Sequence, residues 1–253
     1  MAVEIRLIPC LTDNYAVLLH DPASGATAVV DAPEAAPIEA VLDKEGWRLS
    51  TILVTHHHHD HTGGIEALVR RFHPEVVAPA GEAAKIPAVT RTVKEGDCVS
   101  AGGADATVIE TPGHTLGQIN YFFDRERLLF GGDTLFTLGC GRVIEGDPDM
   151  MWRSLDKLRR LPGDTRLYCG HEYTEANARF ALSVDPDNAR LKARAEAVRA
   201  ARGRGEPTVP ATLAEELDTN PFLRPEALAA AVGLAGAAPA KVFAEIRGRK
   251  DRF

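Results

Sequence analysis

Four apolar, β-type runs of this chain end alike. "STILVT" leads into His56, "ATVIETPG" into His114, "RLLFGG" into Asp133 and "TRLYCG" into His171. Each run closes on small or turn residues and is followed by a side chain that can bind a metal. Strand ends at one sheet edge lie close together however far apart they are in sequence. Loops carried by such a scaffold are the usual place for chemistry. Side chains at the four strand ends can therefore converge in one fold.

The first run opens onto "THHHHDH", residues 55–61, which holds five of the nine histidines. In an extended backbone alternate side chains share a side. His56 and His58 can therefore share one metal, while His57 points away. Asp60 and His61 lie past the extended part, before Gly63-Gly64 and a helical pattern, and can face a second point. A single histidine after a strand is ordinarily a surface or core residue; this spacing is what a metal explains. The candidate ligands are His56, His58, Asp60, His61, His114, Asp133 and His171, seven in all. Four protein contacts at each of two metals would need eight. A carboxylate can bridge and a neutral imidazole cannot, so one shared aspartate closes the count. Asp133, arriving alone from its own strand, is the better bridge. Imidazole and carboxylate donors without thiolate suit Zn, Fe or Mn, and two divalent ions per chain, Zn first, are expected. His57 and His59 are read as non-ligands that pack, support neighbours by hydrogen bonds or shape the cleft. His20 and His73 are expected at the surface, and Cys140 and Cys169 as small buried packing residues.

Bulk properties bound the function classes. With 253 residues the chain suits one large domain, or one plus a smaller one. That length buries a substantial core. A net charge of −7 without a long basic run argues against a nucleic-acid partner. The start, "MAVEIRLIPC", lacks the basic and apolar regions of a signal peptide. The longest uncharged stretch, "ALAAAVGLAGAAPA" (227–240), is broken by Gly and Pro and too short for a bilayer. No membrane partner, a cytoplasmic location and a monomer are expected. The four cysteines are widely spaced, which fits reduced thiols better than a disulfide framework.

The first half reads as strands ("EIRLIPC", "YAVLLHD", "ATAVVDA", "STILVTH", "EVVAPA", "ATVIETP", "INYFFDR", "RLLFGGD", "TRLYCGH") punctuated by turns. Helical patterns sit between them in "APIEAVLDKEGW", "GGIEALVRRFH" and "PDMMWRSLDKLRRLP". This order predicts layered sheets with helices outside, an α+β arrangement. After about residue 172 the pattern is helical only, with Thr212 and Glu215 spaced as a capping box. Residues 1–172 are expected to form the metal-binding catalytic domain and 173–253 a helical domain. "ARGRGEPTVPAT" (201–212) is expected to be a connector.

"THHHHDH" fits the T-H-x-H-x-D-H signature of the metallo-β-lactamase superfamily. "TPGHTLGQINYFF", "GGDTLFTLGCGRVIEG", "LYCGHEYTEANARFA", "TLAEELDTNPFLR" and "RGRKDRF" resemble the hydroxyacylglutathione hydrolase (glyoxalase II) family, from about residue 5 to the last residue. The resemblance implies a four-layer αββα metallo-β-lactamase sandwich followed by a C-terminal helical domain. It implies one metal held by His56, His58 and His114, a second by Asp60, His61 and His171, and Asp133 bridging them. The activity implied is hydrolysis of S-(2-hydroxyacyl)glutathione thioesters, chiefly S-D-lactoylglutathione to D-lactate and glutathione, by a metal-bridged hydroxide, as in methylglyoxal detoxification. Asp60 and Asp133 would act in catalysis. The glutathione moiety would lie between the domains, at Arg142, Tyr173, Arg247 and Lys250. Arg247 and Lys250 are three apart on one helical face, in a basic end on an acidic chain. Arg249 and Arg252 fit a solvated helix C-terminus. Two positions depart from some relatives: Ile144, where an aromatic residue occurs, and His59, where Trp occurs. A glutathione persulfide dioxygenase-like enzyme with one iron is a rival on the same fold. The full seven-residue set and the long helical C-terminus argue against it. A non-catalytic metal-binding protein would have a closed, fully protein-ligated site, whereas a shared carboxylate leaves room for water.

Overall fold

The computed structural model describes residues 3–253. The chain packs as two units. One comprises the residues up to Glu110 with Gly117–Gly132, and the other Thr111–Leu116 with Asp133–Phe253.

The first unit contains β1 (Glu4–Cys10), β2 (Asn14–His20), β3 (Thr27–Val30), α1 (Ala35–Glu45), β4 (Leu49–Leu53), α2 (His59–Thr62), α3 (Ile65–Phe72), β5 (Glu75–Pro79), β6 (Arg91–Val93), β7 (Cys98–Ala101), β8 (Ala104–Glu110), β9 (Ile119–Phe123) and β10 (Leu128–Gly132). Strands β1 to β6 form one sheet in sequence order. Short turns make β1, β2 and β3 antiparallel. From β3 onward the connections are longer crossovers, two of them carrying α1 and α3, and the pairing turns parallel. Strands β7 to β10 form an antiparallel meander. β2 and β3 are buried throughout, which is why they read as unbroken apolar runs. Leu18, Val29, Ile52 and Val76 of the sheet pack with Ile38 and Leu42 of α1 and with Ile65 and Leu68 of α3. Ile38 and Leu42 are one turn apart on one helical face. Fully burying such a side chain contributes about 1.5–3 kcal/mol.

His20 is not at the surface. It pairs in register with Thr27 of β3, its Nδ1 lies 2.8 Å from Thr27 Oγ1, and its ring stacks 4.1 Å from Trp47. His73 is exposed, as expected.

The second unit contains a small hairpin of β11 (Leu135–Phe136) and β12 (Gly139–Cys140), then α4 (Pro148–Leu158), β13 (Arg166–Cys169), α5 (Thr174–Val184), α6 (Ala189–Gly203), β14 (Ala211–Thr212), α7 (Leu213–Thr219), α8 (Pro225–Leu228) and α9 (Pro239–Asp251). β14 pairs antiparallel with β13. α5 and α6 pack through Ala178, Ala181, Leu191 and Ala195 around Leu138; the small alanines let the helices approach closely. Phe180, Phe222, Phe243 and Trp152 form a run of ring contacts with centroids 5.8, 6.1 and 6.0 Å apart. The capping box is present: Glu215 N donates to Thr212 Oγ1 at 3.3 Å and Thr212 N to Glu215 Oε2 at 2.8 Å. The predicted connector is shorter than expected, because residues 201–203 close the last turn of α6. Among the described residues no helix is long and apolar enough to cross a membrane.

Candidate metal centre and its supports

In the first unit β4 ends at Leu53, and the chain runs on through Val54 and Thr55 to the fully buried His56. His56 Nε2 lies 3.1 Å from His58 Nδ1, so the alternate pair turns its donors to one point. The His57 Nδ1 goes instead to Glu82 Oε2, 2.9 Å away, with the His57 ring edge-on to that of His58 at 4.9 Å. Asp60 and His61 sit in α2, with His61 Nε2 3.8 Å from Asp60 Oδ2. Asn14 Nδ2 holds Asp60, donating to its carbonyl at 2.9 Å and to Oδ2 at 3.1 Å.

Behind these donors stands Asp31. Its Oδ1 accepts Thr55 N at 2.8 Å, and its Oδ2 accepts Thr55 Oγ1 and lies beside His61 Nδ1, both at 2.8 Å. Thr55 Oγ1 is in turn 3.0 Å from His56 Nδ1. Both imidazoles are thus engaged at Nδ1, which leaves Nε2 as the donor atom, the arrangement that orients a metal-binding histidine. The threonine of T-H-x-H has its physical reason here.

In the second unit Asp133 Oδ2 lies 3.4 Å from His114 Nε2 and 3.4 Å from His171 Nε2. One carboxylate oxygen is equidistant from two buried imidazole nitrogens. His114 is engaged at Nδ1 by the Arg142 carbonyl, 2.9 Å away. His171 stacks on Tyr173 at 4.6 Å, nearly parallel, with Phe136 edge-on to both rings. Thr111 and Thr134 hydroxyls meet at 2.8 Å, tying the loops that carry His114 and Asp133. Gly141 N donates to Thr134 O at 3.2 Å. A Cβ at Gly141 would stand 1.9 Å from Asp133 O, so "GCGR" needs glycine at that position.

The motifs of the last eighty residues act on this same loop region. Asn220 Nδ2 donates to Phe136 O at 3.2 Å, Gly139 O at 3.0 Å and Glu216 Oε2 at 2.9 Å. Glu216, fully buried, accepts Leu138 N at 2.8 Å and pairs with Arg194. "EELDTN" is therefore a clamp on the β11–β12 hairpin, whose far end delivers Arg142.

The four residues assigned to glutathione differ in setting. Arg142 and Tyr173 are exposed and Lys250 is half-buried. Lys250 Nζ donates to Ala176 O at 3.3 Å and lies over Phe180. Burial, then the positive charges of Arg247 and Arg179, hold its pKa below the usual lysine value. Arg247 is only 5 % exposed. Its Nη1 donates to Cys140 O at 3.1 Å, its Nη2 to Asp251 Oδ1 at 2.9 Å, and its guanidinium covers Phe222. Ile144 is exposed at 57 %. The sequence reading missed Asn14, Asp31, Glu82, Glu216 and Asn220. For Asp31 a signal existed, because "AVVDA" is another apolar run ending in a carboxylate.

The family model described as metallo-beta-lactamase superfamily matches residues 12–171, and that described as hydroxyacylglutathione hydrolase C-terminus matches residues 172–253. A hydroxyacylglutathione hydrolase of Rhodopseudomonas palustris (strain BisB5) is 57% identical over 253 residues, 99% of each chain. One from Ruegeria pomeroyi is 51% identical over 255 residues, covering both chains in full. The crystal structure of ETHE1 from Myxococcus xanthus superposes with a TM-score of 0.70 at 24% identity, over 98% of this chain and 90% of that one, which shows a shared fold. Carrying both parts of the family's pattern, and more than half identical to these relatives along its length, the chain belongs to the hydroxyacylglutathione hydrolase family of the metallo-β-lactamase superfamily.

Proposed function

We propose that this enzyme, a thioester hydrolase by its family, hydrolyses S-(2-hydroxyacyl)glutathione thioesters, chiefly S-D-lactoylglutathione to D-lactate and glutathione, the chemistry of methylglyoxal detoxification. The observation that carries the reading is the Asp133 carboxylate oxygen, 3.4 Å from each of two histidine nitrogens. Nitrogen and oxygen donors, with the imidazoles of His56, His61 and His114 already engaged at Nδ1, fit divalent metals. In this reading His56, His58 and His114 hold one ion, Asp60, His61 and His171 a second, and Asp133 serves both. Zn suits these donors first; Fe and Mn fit the same set. Ions bound there supply hydroxide at neutral pH, by lowering the pKa of water toward about 7, together with Lewis-acid stabilisation of the oxyanion.

The chain's residues do the rest. Asp60, steadied by Asn14, ligates and orients the attacking oxygen. The Asp31–Thr55 pair and the Arg142 carbonyl keep the imidazoles turned inward. The departing thiolate, from a thiol of reference pKa about 8.5, leaves without a general acid. Residues 173–253 contribute to the glutathione side together with Arg142. Arg142 and Tyr173 offer accessible surface to a ligand with two carboxylates, with the half-buried Lys250 and the buried Arg247 adding positive charge. A monomer acting in the cytoplasm completes the proposal. The test is steady-state hydrolysis of S-D-lactoylglutathione with metal analysis on the same sample. Chelator-sensitive turnover is expected. A metal-loaded chain that consumes oxygen with a glutathione persulfide and leaves the thioester intact would overturn it.

A further inference from the structure

Glu82 lies in "PAGEAAK", in the loop that follows β5. Its side chain is 2% exposed. Oε2 accepts the main-chain N–H of His57 at 2.7 Å and stands 2.9 Å from His57 Nδ1. Oε1 accepts Gly117 N at 2.9 Å. The residue's own backbone is pinned as well, with Glu82 N donating to Pro79 O at 3.0 Å and Lys85 N to Glu82 O at 2.8 Å. Contact with Gly117 is close enough that a Cβ there would stand 2.5 Å from Glu82 Cγ. One buried carboxylate thus joins two loops. The first is the peptide between His56 and His58. The second is the loop that begins at Gly117 and leads into β9.

Desolvating a carboxylate is costly, and an apolar side chain would fill this space without that cost. What a carboxylate adds is a pair of acceptors with fixed directions. Charge-assisted bonds to backbone N–H groups are short and strong. The His57 peptide joins the two residues whose ring nitrogens stand 3.1 Å apart, so its position bears on both.

We propose that Glu82 is a positioning residue of the metal centre, fixing the His57 peptide against Gly117 so that His56 and His58 present their nitrogens to one ion. This rests on the reading of His56 and His58 as ligands. Glu82→Gln is the direct test. The amide keeps the volume but must turn its NH2 toward either His57 N–H or Gly117 N–H, setting donor against donor. Full-length wild type and variant are titrated with Co2+ against a competing chelator, and the cobalt d–d absorption is recorded. The expected result is Co2+ binding weakened about tenfold or more, with an altered d–d spectrum. If Glu82→Gln does not fold, Gly117→Ala, which keeps the charge and presses on Cγ, carries the same expectation. A folded variant with wild-type Co2+ affinity and spectrum, even one that melts earlier, overturns the proposal. A wild-type chain that binds no Co2+ overturns the ligand reading itself.

Discussion

Asp31 Oδ2 lies 2.8 Å from His61 Nδ1, and the same carboxylate receives the N–H and the hydroxyl of Thr55. Asp31→Ala leaves the buried Thr55 N–H unpaired, at about 1–3 kcal/mol. It also releases the His61 ring, for which about 10–100-fold in metal affinity or activity is expected. Asp31 sits at φ +54°, where Asn is better tolerated than Ala, so Asp31→Asn should melt at a higher temperature than Asp31→Ala. Thermal melts with and without chelator, alongside kcat/KM, check this. Wild-type metal retention in the alanine variant would refute it.

Asp133 is the shared ligand of the proposal. Asp133→Ala is expected to bind fewer metal ions per chain and to lose at least about 100-fold in kcat/KM, equivalent to about 2.7 kcal/mol. A variant with both metals and full thioesterase activity would show that the carboxylate does not bridge.

Asn220 pairs with three main-chain groups: its Nδ2 serves the carbonyls of Phe136 and Gly139, and its Oδ1 accepts Phe222 N at 3.0 Å. Asn220→Ala strands all of them. A loss of roughly 2–4 kcal/mol is expected, since each buried orphan costs about 1–3 kcal/mol and relaxation recovers part. The urea midpoint measures it. The loosened hairpin should also raise KM through Arg142.

The pKa of Lys250 is lowered by burial and by Arg247 and Arg179. A lysine depressed in the folded state favours its neutral form there. Its linked stability therefore increases as pH rises from the folded pKa toward 10.5, and its cation is lost within that window. For S-methylglutathione as a competitive inhibitor, Lys250→Ala should weaken binding at neutral pH. The gap between variant and wild type should close as pH approaches 10.5. A gap constant with pH would show that the Lys250 charge does not bind the ligand.

Burial raises the Cys10 and Cys140 thiols to about 11 and that of Cys169 to about 12, whereas Cys98 is exposed. Thiolate is the reactive form. Iodoacetamide at pH 8 should label the folded chain once, at Cys98, and the denatured chain at every cysteine. Intact and peptide mass spectra decide it.

The strand-end pattern was legible because it depends on short range: β4, β8, β10 and β13 each stop a few residues before a candidate ligand. His57, expected to point away from its neighbours, sends its Nδ1 to Glu82, while its ring still meets that of His58 edge-on at 4.9 Å. Asp31 was not legible as a partner of His61. The two meet because Val30 pairs in parallel with Leu53, and neither strand alone encodes that register. Glu82 lies in a loop without periodicity, so nothing marks its direction. Arg247 was read by charge, yet its guanidinium lies over Phe222, a contact made by tertiary packing of α9. His20 misled similarly, as burial came from Trp47 beyond α1.

The packing unit that holds His114, Asp133 and His171 also contains every helix from α4 onward, although the two family models meet at residues 171 and 172. The C-terminal helices therefore do not pack as a detachable cassette. Grafting residues 172–253 onto another metallo-β-lactamase would bring Glu216, Asn220 and Arg247 without the Leu138 amide and the Phe136, Gly139 and Cys140 carbonyls they hold. A working chimera would have to carry the 135–142 hairpin with the helices, and lineages that alter one should alter the other in step.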